Sequence, residues 1–418
     1  MTRAMRLTAA GFVATAVTFG PGRMGFGLFL PAFREDFTLT TATAGLIASG
    51  GFLAFLVGLL ASAGMARHYS ARASVVTGAI CALVGFVIVA AAFTPMHLAI
   101  GIALAGSSAG LCWAPFNDAA ERIIAPEARP TALSVISTGT TFGVAGAAVL
   151  AFLVIEGVFD WRGAWIGFAV SSVALTGFAV TGLPPGGWAA PARGPLHDSG
   201  GAGISAPIEP APEPAHAASE SHLLRREVMP LYATALCFGM TNAVFLSFAA
   251  DRVVAAGGLP GLADSVASVV IFLGYGVFGV LGLLTGRLEA RIGLAALFCL
   301  IFSSGALSLV LIGIAPTSWS AVIAASGLHG MAIMMVSAVF SFWSVRLFPG
   351  RSTLGFTAAL LSVAAGSVIG PALAGLLAAA QGPGVMFLVA ALPSLTAAAW
   401  FAVLLLRERP RLPPAPPA

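Results

Sequence analysis

The chain has 418 residues, 58% hydrophobic and only 9% charged, with a mean hydropathy of +0.98 and a formal net charge of +4. That composition leaves too little polar surface to clothe a soluble globule of this length. The basic residues are all arginine and are spread along the chain instead of clustered with exposed aromatics, which excludes a nucleic-acid-binding surface.

Apolar segments fill the chain near residues 8–30, 42–66, 74–94, 97–120, 131–155, 163–183, 228–250, 265–286, 292–314, 319–344, 354–379 and 384–406. A hydrocarbon core of about 30 Å needs roughly 20 apolar residues at a helical rise of about 1.5 Å, so each segment is long enough to cross it. They are too long and too uniformly apolar for barrel strands, and backbone groups in lipid must be satisfied internally. The prediction is an all-α integral membrane protein with twelve transmembrane helices.

In the first segment, Arg3 and Arg6 precede an apolar run from Leu7 to Phe19, a pattern shared with signal peptides. Gly20-Pro21-Gly22-Arg23 then interrupts it without a small-residue cleavage site and further spans follow, so the run reads as the first transmembrane helix. Cys81, Cys112, Cys237 and Cys299 stand singly in four segments, the pattern of buried small hydrophobes, with neither a disulfide nor a metal site indicated.

Arg34, Arg162 and Arg252 fall on one side of the membrane, Arg23 lies inside the first span, and the other arginines, from Arg3 and Arg6 to Arg407, Arg409 and Arg411, fall on the opposite side. The positive-inside rule places both termini in the cytoplasm. Between the sixth and seventh spans the composition turns to Pro, Gly, Ala, Ser and scattered acids, which bury no core and predict a disordered cytoplasmic linker. The expected organisation is a six-helix bundle over 1–183, the linker at 184–227, a second six-helix bundle over 228–407 and a tail at 408–418.

The two halves are related. Phe19-Gly20 with Arg23 and Phe29 parallels Phe238-Gly239 with Asn242 and Phe248, Arg67 parallels Arg291, and Pro126 to Arg129 parallels Pro349 to Arg351. An internal repeat of this kind holds its substrate site between the halves near the midplane.

Gly286, Leu288, Arg291 and Gly293 match the loop signature of the major facilitator superfamily, with Ala290 in place of its Asp; the first-half copy keeps only Arg67. Six plus six helices around a long central loop also resemble that superfamily, over essentially the whole chain. Gly20-Pro21-Gly22-Arg23-Met24, Leu30-Pro31-Ala32-Phe33-Arg34, Ser137 to Gly143 and Trp161-Arg162-Gly163-Ala164-Trp165 are similar to a bacterial branch of it with Gly-x-Gly-Arg in the first helix. The resemblance implies a secondary transporter in the bacterial inner (plasma) membrane, symporter or antiporter, with a cavity lined by the first, fourth, seventh and tenth helices.

On those helices lie Arg23, Trp113, Asn117, Tyr232, Asn242 and His329, the candidate substrate residues. An arginine near the membrane centre costs at least about 2.5–3.5 kcal/mol, which something must offset. It either forks onto an anionic substrate or forms an internal ion pair or carbonyl cap between helices. The glycines around it are expected to thin the helix and open space for a ligand or water. His329 either titrates with transport or packs as a neutral ring. Asp118 and Arg122, four apart on one helix face, with Glu121, Arg67 and Arg291, are the candidate cytoplasmic gate. Asp251-Arg252, Glu156 and Asp160 read as solvated span ends.

The drug-antiporter motif is missing: Ile102 stands where the fourth helix would carry its arginine, and the fifth has no Gly-Pro pair. No nucleotide-binding loop, metal-ligand cluster or catalytic constellation occurs, so no enzyme, cofactor or metal is indicated. The leading reading is secondary transport of a small anionic organic solute, with proton a candidate coupling partner; proton-coupled efflux of drug-like compounds and a non-transporting sensor or assembly factor are the alternatives. Nothing specifies an oligomer, so a monomer is expected. Shortening Gly200–Ser219 is expected to leave insertion and transport nearly unchanged, since that stretch has no apolar periodicity to pack. Loss of folded protein on deletion would reveal a structured element there.

Overall fold

The computed structural model describes residues 2–125, 128–184, 225–263, 266–348 and 352–408, so the expected linker falls mainly outside the described residues. The first span is divided at Gly20 into α1 (Arg3–Phe19) and α2 (Pro21–Phe37). Next come α3 (Thr41–His68), α4 (Ala71–Ala90), α5 (Pro95–Ile123), α6 (Arg129–Ile155) and α7 (Trp161–Gly182). The second half comprises α8 (Met229–Ala255), α9 (Val266–Gly279), a 3-10 turn over Val280–Leu284, α10 (Thr285–Ile292), α11 (Leu294–Ile314), α12 (Trp319–Leu347), α13 (Ser352–Gln381) and α14 (Pro383–Glu408). Among the described residues, eleven helical stretches are long and apolar enough to cross a membrane, the α9–α10 stretch counting as one, and α1 with α2 forms a further crossing. The fold is two six-helix bundles.

The break in the first span has a local cause. Pro21 has no N–H to give the carbonyl one turn back, and Gly20, with φ −65° and ψ −98°, takes the non-helical conformation between α1 and α2. Met24 N–H to Gly20 carbonyl, 2.9 Å, restarts the ladder. A second break, the 3-10 turn in the eighth span, was not foreseen from the sequence. Gly279 and Gly282 there lie against Met334 of α12. Short 3-10 stretches within a helix commonly mark hinges. Polar residues gather at span ends, where the side chains of Thr2, Thr40, Ser70, Thr94 and Asp160 accept from helix N–H groups.

Helices of uniformly apolar surface gain little from burial in lipid, so close packing has to hold them. Small residues provide it. Gly106 of α5 lies on the backbone of Gly51 in α3, and Gly139 and Gly143 of α6 lie on the carbonyls of Phe12 and Ala16 in α1. The Thr15 hydroxyl donates to Ile136 carbonyl across the same α1–α6 seam at 2.5 Å. Two of the runs that resemble the bacterial branch also meet each other. Phe33 packs edge-on to Trp161 with centroids 5.0 Å apart, and Asp36 accepts from Trp161 Nε1 at 2.9 Å and from Arg162 Nη1 at 2.8 Å.

The two bundles join at the arginine-poor face. There Gly27 of α2 abuts the Leu246 carbonyl of α8, and Gly45 of α3 abuts Pro371 and Gly375 of α13. α6 and α9 meet through Thr141, Val144 and Gly276. An ion pair crosses the seam: Arg34 Nε lies 2.5 Å from Asp251 Oδ1. The same guanidinium donates to Leu39 carbonyl and to Thr41 Oγ1, both at 2.9 Å, and so ties α2, the start of α3 and α8 together. Asp251 is only 9% exposed, which corrects the expectation that it is a solvated span end; α8 runs on to Ala255 and carries Asp251 a turn inside. Arg252 Nη2 likewise donates to Gly313 carbonyl at 3.2 Å. Asp160 and Glu156 are exposed as expected.

Removing one partner of a buried ion pair leaves an uncompensated charge, at a cost of about 3–5 kcal/mol. Asp251→Asn is therefore expected to open the arginine-poor face. In a cysteine-free background, a cysteine at Ser247 should label faster with an impermeant thiol reagent from that face once Asp251 is replaced. An unchanged labelling rate would mean that the glycine contacts alone keep the face shut.

Candidate functional site

Between the bundles lies a cavity of about 350 Å³. It is walled by the four helices expected from the family resemblance and by α3, α6, the α9 end with its 3-10 turn, and α13. Arg23, Met24 and Phe19 come from the first span, Trp113 from α5, Phe238 and Asn242 from α8, and Ser337 and Phe340 from α12.

Arg23 is the third residue of α2, just past the break, so its side chain leaves the helix where the ladder restarts. Among the described residues it makes no ion pair. Its guanidinium carbon lies 4.5 Å from the ring centre of Phe55, 5.5 Å from Phe52 and 5.6 Å from Phe19. Its buried Nε has no hydrogen-bond partner. Ring quadrupoles offset part of the charge, by about 2 kcal/mol or more when a cation–π contact is desolvated. The planar N–H edge is left to be satisfied. A void of about 20 Å³, roughly the size for one water, lies on the other side of Arg23, against Phe52, Gly106 and Ser247.

The glycines beside Arg23 leave room for one water, since Gly22 and Gly27 line the small void, but they do not open the larger cavity. Gly20 packs on Gly143, Gly22 on Ala105 and Ser108, Gly25 on the Trp165 ring and Gly27 on Leu246, so each one admits a neighbouring helix. The space beside Arg23 comes instead from the separation of the bundles.

Asn242, the repeat counterpart of Arg23, lines the same cavity. Its Oδ1 is 3.3 Å from His329 Nε2, and its buried Nδ2 has no partner. His329 sits behind it, 1% exposed, with Nδ1 2.7 Å from Ser308 Oγ and its ring stacked on Phe245 at 4.0 Å and 10°. Its ring is a filled, partnered part of the second bundle and is not on the cavity wall. If Nε2 carries the proton, it donates to Oδ1 and fixes the amide, whose Nδ2 stays buried without a partner at the cavity wall. Tyr275, fully buried beside Phe245 with centroids 6.4 Å apart, has an unpartnered hydroxyl.

Of the other candidates, Trp113 lines the cavity, with its ring 4.9 Å from Phe19. Tyr232 does not. It lies ten residues before Asn242 on α8, about 15 Å along the helix at about 1.5 Å per residue. The side chains of Asn117, Asp118, Glu121 and Arg67 lie outside the described residues. Arg122 and Arg291 are exposed at the arginine-rich ends of α5 and α10. Beside Arg291, Glu289 Oε1 accepts from Arg346 Nη2 at 2.7 Å, joining α10 to α12 in a contact that the sequence reading missed. Gly293, with φ +80°, makes the turn that ends α10, a backbone shape that glycine adopts readily.

Sequence reading also missed Phe52 and Phe55, which look like any lipid-facing phenylalanine in a run of apolar residues. It named Ser137 to Gly143 only as a resemblance. Ser134, Ser137, Thr138 and Thr141 all line the cavity, and their i, i+3, i+4, i+7 spacing places them on one face of α6, a signal that was readable.

A comparison with family models matches residues 11–293 to the Major Facilitator Superfamily. Among solved structures, the chain is similar to a point mutant of the nucleoside transporter NupG, with a TM-score of 0.74 at 13% identity over 96% of this chain and 100% of that one. It is also similar to a bacterial homologue of the human lysosomal transporter Spinster, in an inward-facing and unoccupied conformation, with a TM-score of 0.69 at 15% identity over 96% and 97%. A POT family transporter in complex with a thioalcohol-conjugated peptide gives a TM-score of 0.71 at 14% identity over 97% and 96%. A sequence comparison with curated proteins finds no match. Identities this low show the fold alone, whereas the family match spans well over half of the chain: it belongs to the Major Facilitator Superfamily and is a multi-pass membrane transporter, not an enzyme.

Proposed function

We propose that the protein is a secondary active transporter that moves a small anionic organic solute by alternating access, in the inner (plasma) membrane of a bacterium. One observation carries this reading. Arg23 stands in the cavity between the bundles with rings around its guanidinium, no acid beside it among the described residues and an unpartnered Nε. A structural arginine ends in carboxylates or carbonyls, because a buried donor left unmade costs about 1–3 kcal/mol, and more when charged. A substrate carboxylate or phosphate supplies the missing acceptors when it binds. Asn242 adds an amide donor on the facing bundle, so the anion spans the two halves whose relative motion transports it.

The bundles meet at the arginine-poor face, and in this reading the cavity loads from the arginine-rich face, which the positive-inside rule makes cytoplasmic. In this reading the bundles at 1–183 and 228–407 rock about the site, and residues 184–227 tether them in the cytoplasm. Arg34–Asp251 closes the outer side. Asp118, Glu121, Arg122, Arg67 and Arg291, with Glu289–Arg346, close the inner one in the opposite conformation. His329 acts on the substrate through Asn242, with proton as the coupling ion. The apolar and aromatic wall supports a second reading, proton-coupled efflux of amphipathic compounds.

Reporter fusions at Gly200 and Ala418 should both read cytoplasmic; a periplasmic signal from either would break the twelve-helix topology. The test of the site is paired. Arg23→Lys keeps the charge and loses the fork, and Arg23→Ala loses both, so binding of an anionic substrate should fall in the order Arg, Lys, Ala. The melting temperature without ligand should hold or rise, because a charge costing about 2.5–3.5 kcal/mol in the membrane is removed. If Arg23→Ala instead melts early and binds every substrate as before, Arg23 is a structural residue.

A further inference from the structure

The reading of Arg23 as an anion receptor leaves open which anions fit, and the rest of the cavity restricts them. The charge available is a single positive one: among the described residues that line the cavity, Arg23 is the only ionisable side chain. The remaining polar wall is uncharged, consisting of the α6 hydroxyls, Ser337 and the Asn242 amide. A dianion would carry its second charge into this space with nothing to neutralise it, and a buried unpaired charge is strongly disfavoured. The same holds for a substrate that carries a cationic group, since no acid among the described residues lines the cavity.

Most of the remaining wall is apolar and aromatic. Phe19, beside the guanidinium, and Trp113 flank one side, Phe238 and Phe340 stand on the other bundle, and Leu283 and Met334 close the space beside the 3-10 turn. A volume of about 350 Å³ is in the range of pockets that enclose a drug-sized molecule and is far larger than a simple inorganic anion needs. A small hydrophilic anion would leave these rings facing water that gains nothing from them. An apolar body attached to the anionic group removes that water and covers the rings.

Resting on the anion reading above, we propose that the substrate is an amphipathic monoanion: one carboxylate-type group held at Arg23 and Asn242, joined to an apolar or aromatic body that fills the space between Trp113, Phe238 and Phe340.

The test varies head and body independently on the purified full-length protein in detergent, with direct binding measured by calorimetry. Probes are 4-phenylbutyrate, its neutral amide 4-phenylbutyramide, the dianion phenylsuccinate, and acetate and inorganic phosphate as anions without a body. The expected order places 4-phenylbutyrate first. The amide should bind about tenfold to a hundredfold more weakly, the loss of a hydrogen-bonded charge, and phenylsuccinate should be weaker than the monoanion by at least about tenfold. Acetate and phosphate should show no binding at millimolar concentration.

Arg23→Gln should bring acid and amide to equal affinity, and Phe340→Ala, which leaves Arg23 in place, should weaken the acid and the amide by the same factor. If phosphate or phenylsuccinate binds as tightly as 4-phenylbutyrate and loses affinity in Arg23→Gln, the monoanion proposal is overturned while the anion reading stands. If the amide equals the acid in the unmodified protein, the anion reading itself fails. Absence of binding by 4-phenylbutyrate at millimolar concentration also overturns the proposal.

Discussion

A cation held in a low-dielectric interior, with no counter-anion among the described residues, is the constraint on which the cavity depends. The charge of Arg23 has to be met somewhere, because burying it unpaired costs several kcal/mol. Three phenylalanine rings meet it in part, and the break at Gly20 lets the side chain leave the helix in the space between the bundles. Everything that shapes that space, from the glycine seams to the outer ion pair, sets what the guanidinium can reach.

The glycine seams show how packing and function are linked. In lipid, apolar helices gain nothing from turning apolar faces toward one another, so proximity of backbones and the few polar contacts decide which helices touch. Gly27, Gly45, Gly276 and Gly375 bring the bundles together on the arginine-poor side, and the Arg34–Asp251 pair fastens the same edge. An interface fastened along one edge can open by rocking. The cavity lies away from that edge, and the 3-10 turn of the eighth span borders it with a helix already interrupted.

The facing halves contribute unlike groups from equivalent positions. Arg23 and Asn242 descend from one repeat position, yet one carries a charge and the other is an amide backed by His329 and Ser308. A symmetric pair of arginines would suit a multiply charged ligand. In the proposed reading, the asymmetric pair suits a single charge oriented toward one bundle.

Span number, helical class, repeat and charge asymmetry were legible in the sequence because each is a local or additive property: apolar length sets a crossing, and loop arginines add up on one face. Arg23 was legible for the same reason, as a charge inside an apolar run, and so was its pairing with Asn242 by repeat. What only the tertiary structure decided depends on helix rotation, which a sequence apolar on all sides does not encode. Phe52 and Phe55 turn toward Arg23 while exposed neighbours such as Leu53 and Val57 turn outward, though all four look alike in a hydropathy plot. Asp251 read as a solvated end until its partner Arg34, on a helix more than two hundred residues away, came into contact. The glycines around Arg23 read as space for a ligand or water; each lies against another helix, and two of them line only a void the size of one water. Long-range pairing decided all three, and pairing is set by the packing of the whole bundle.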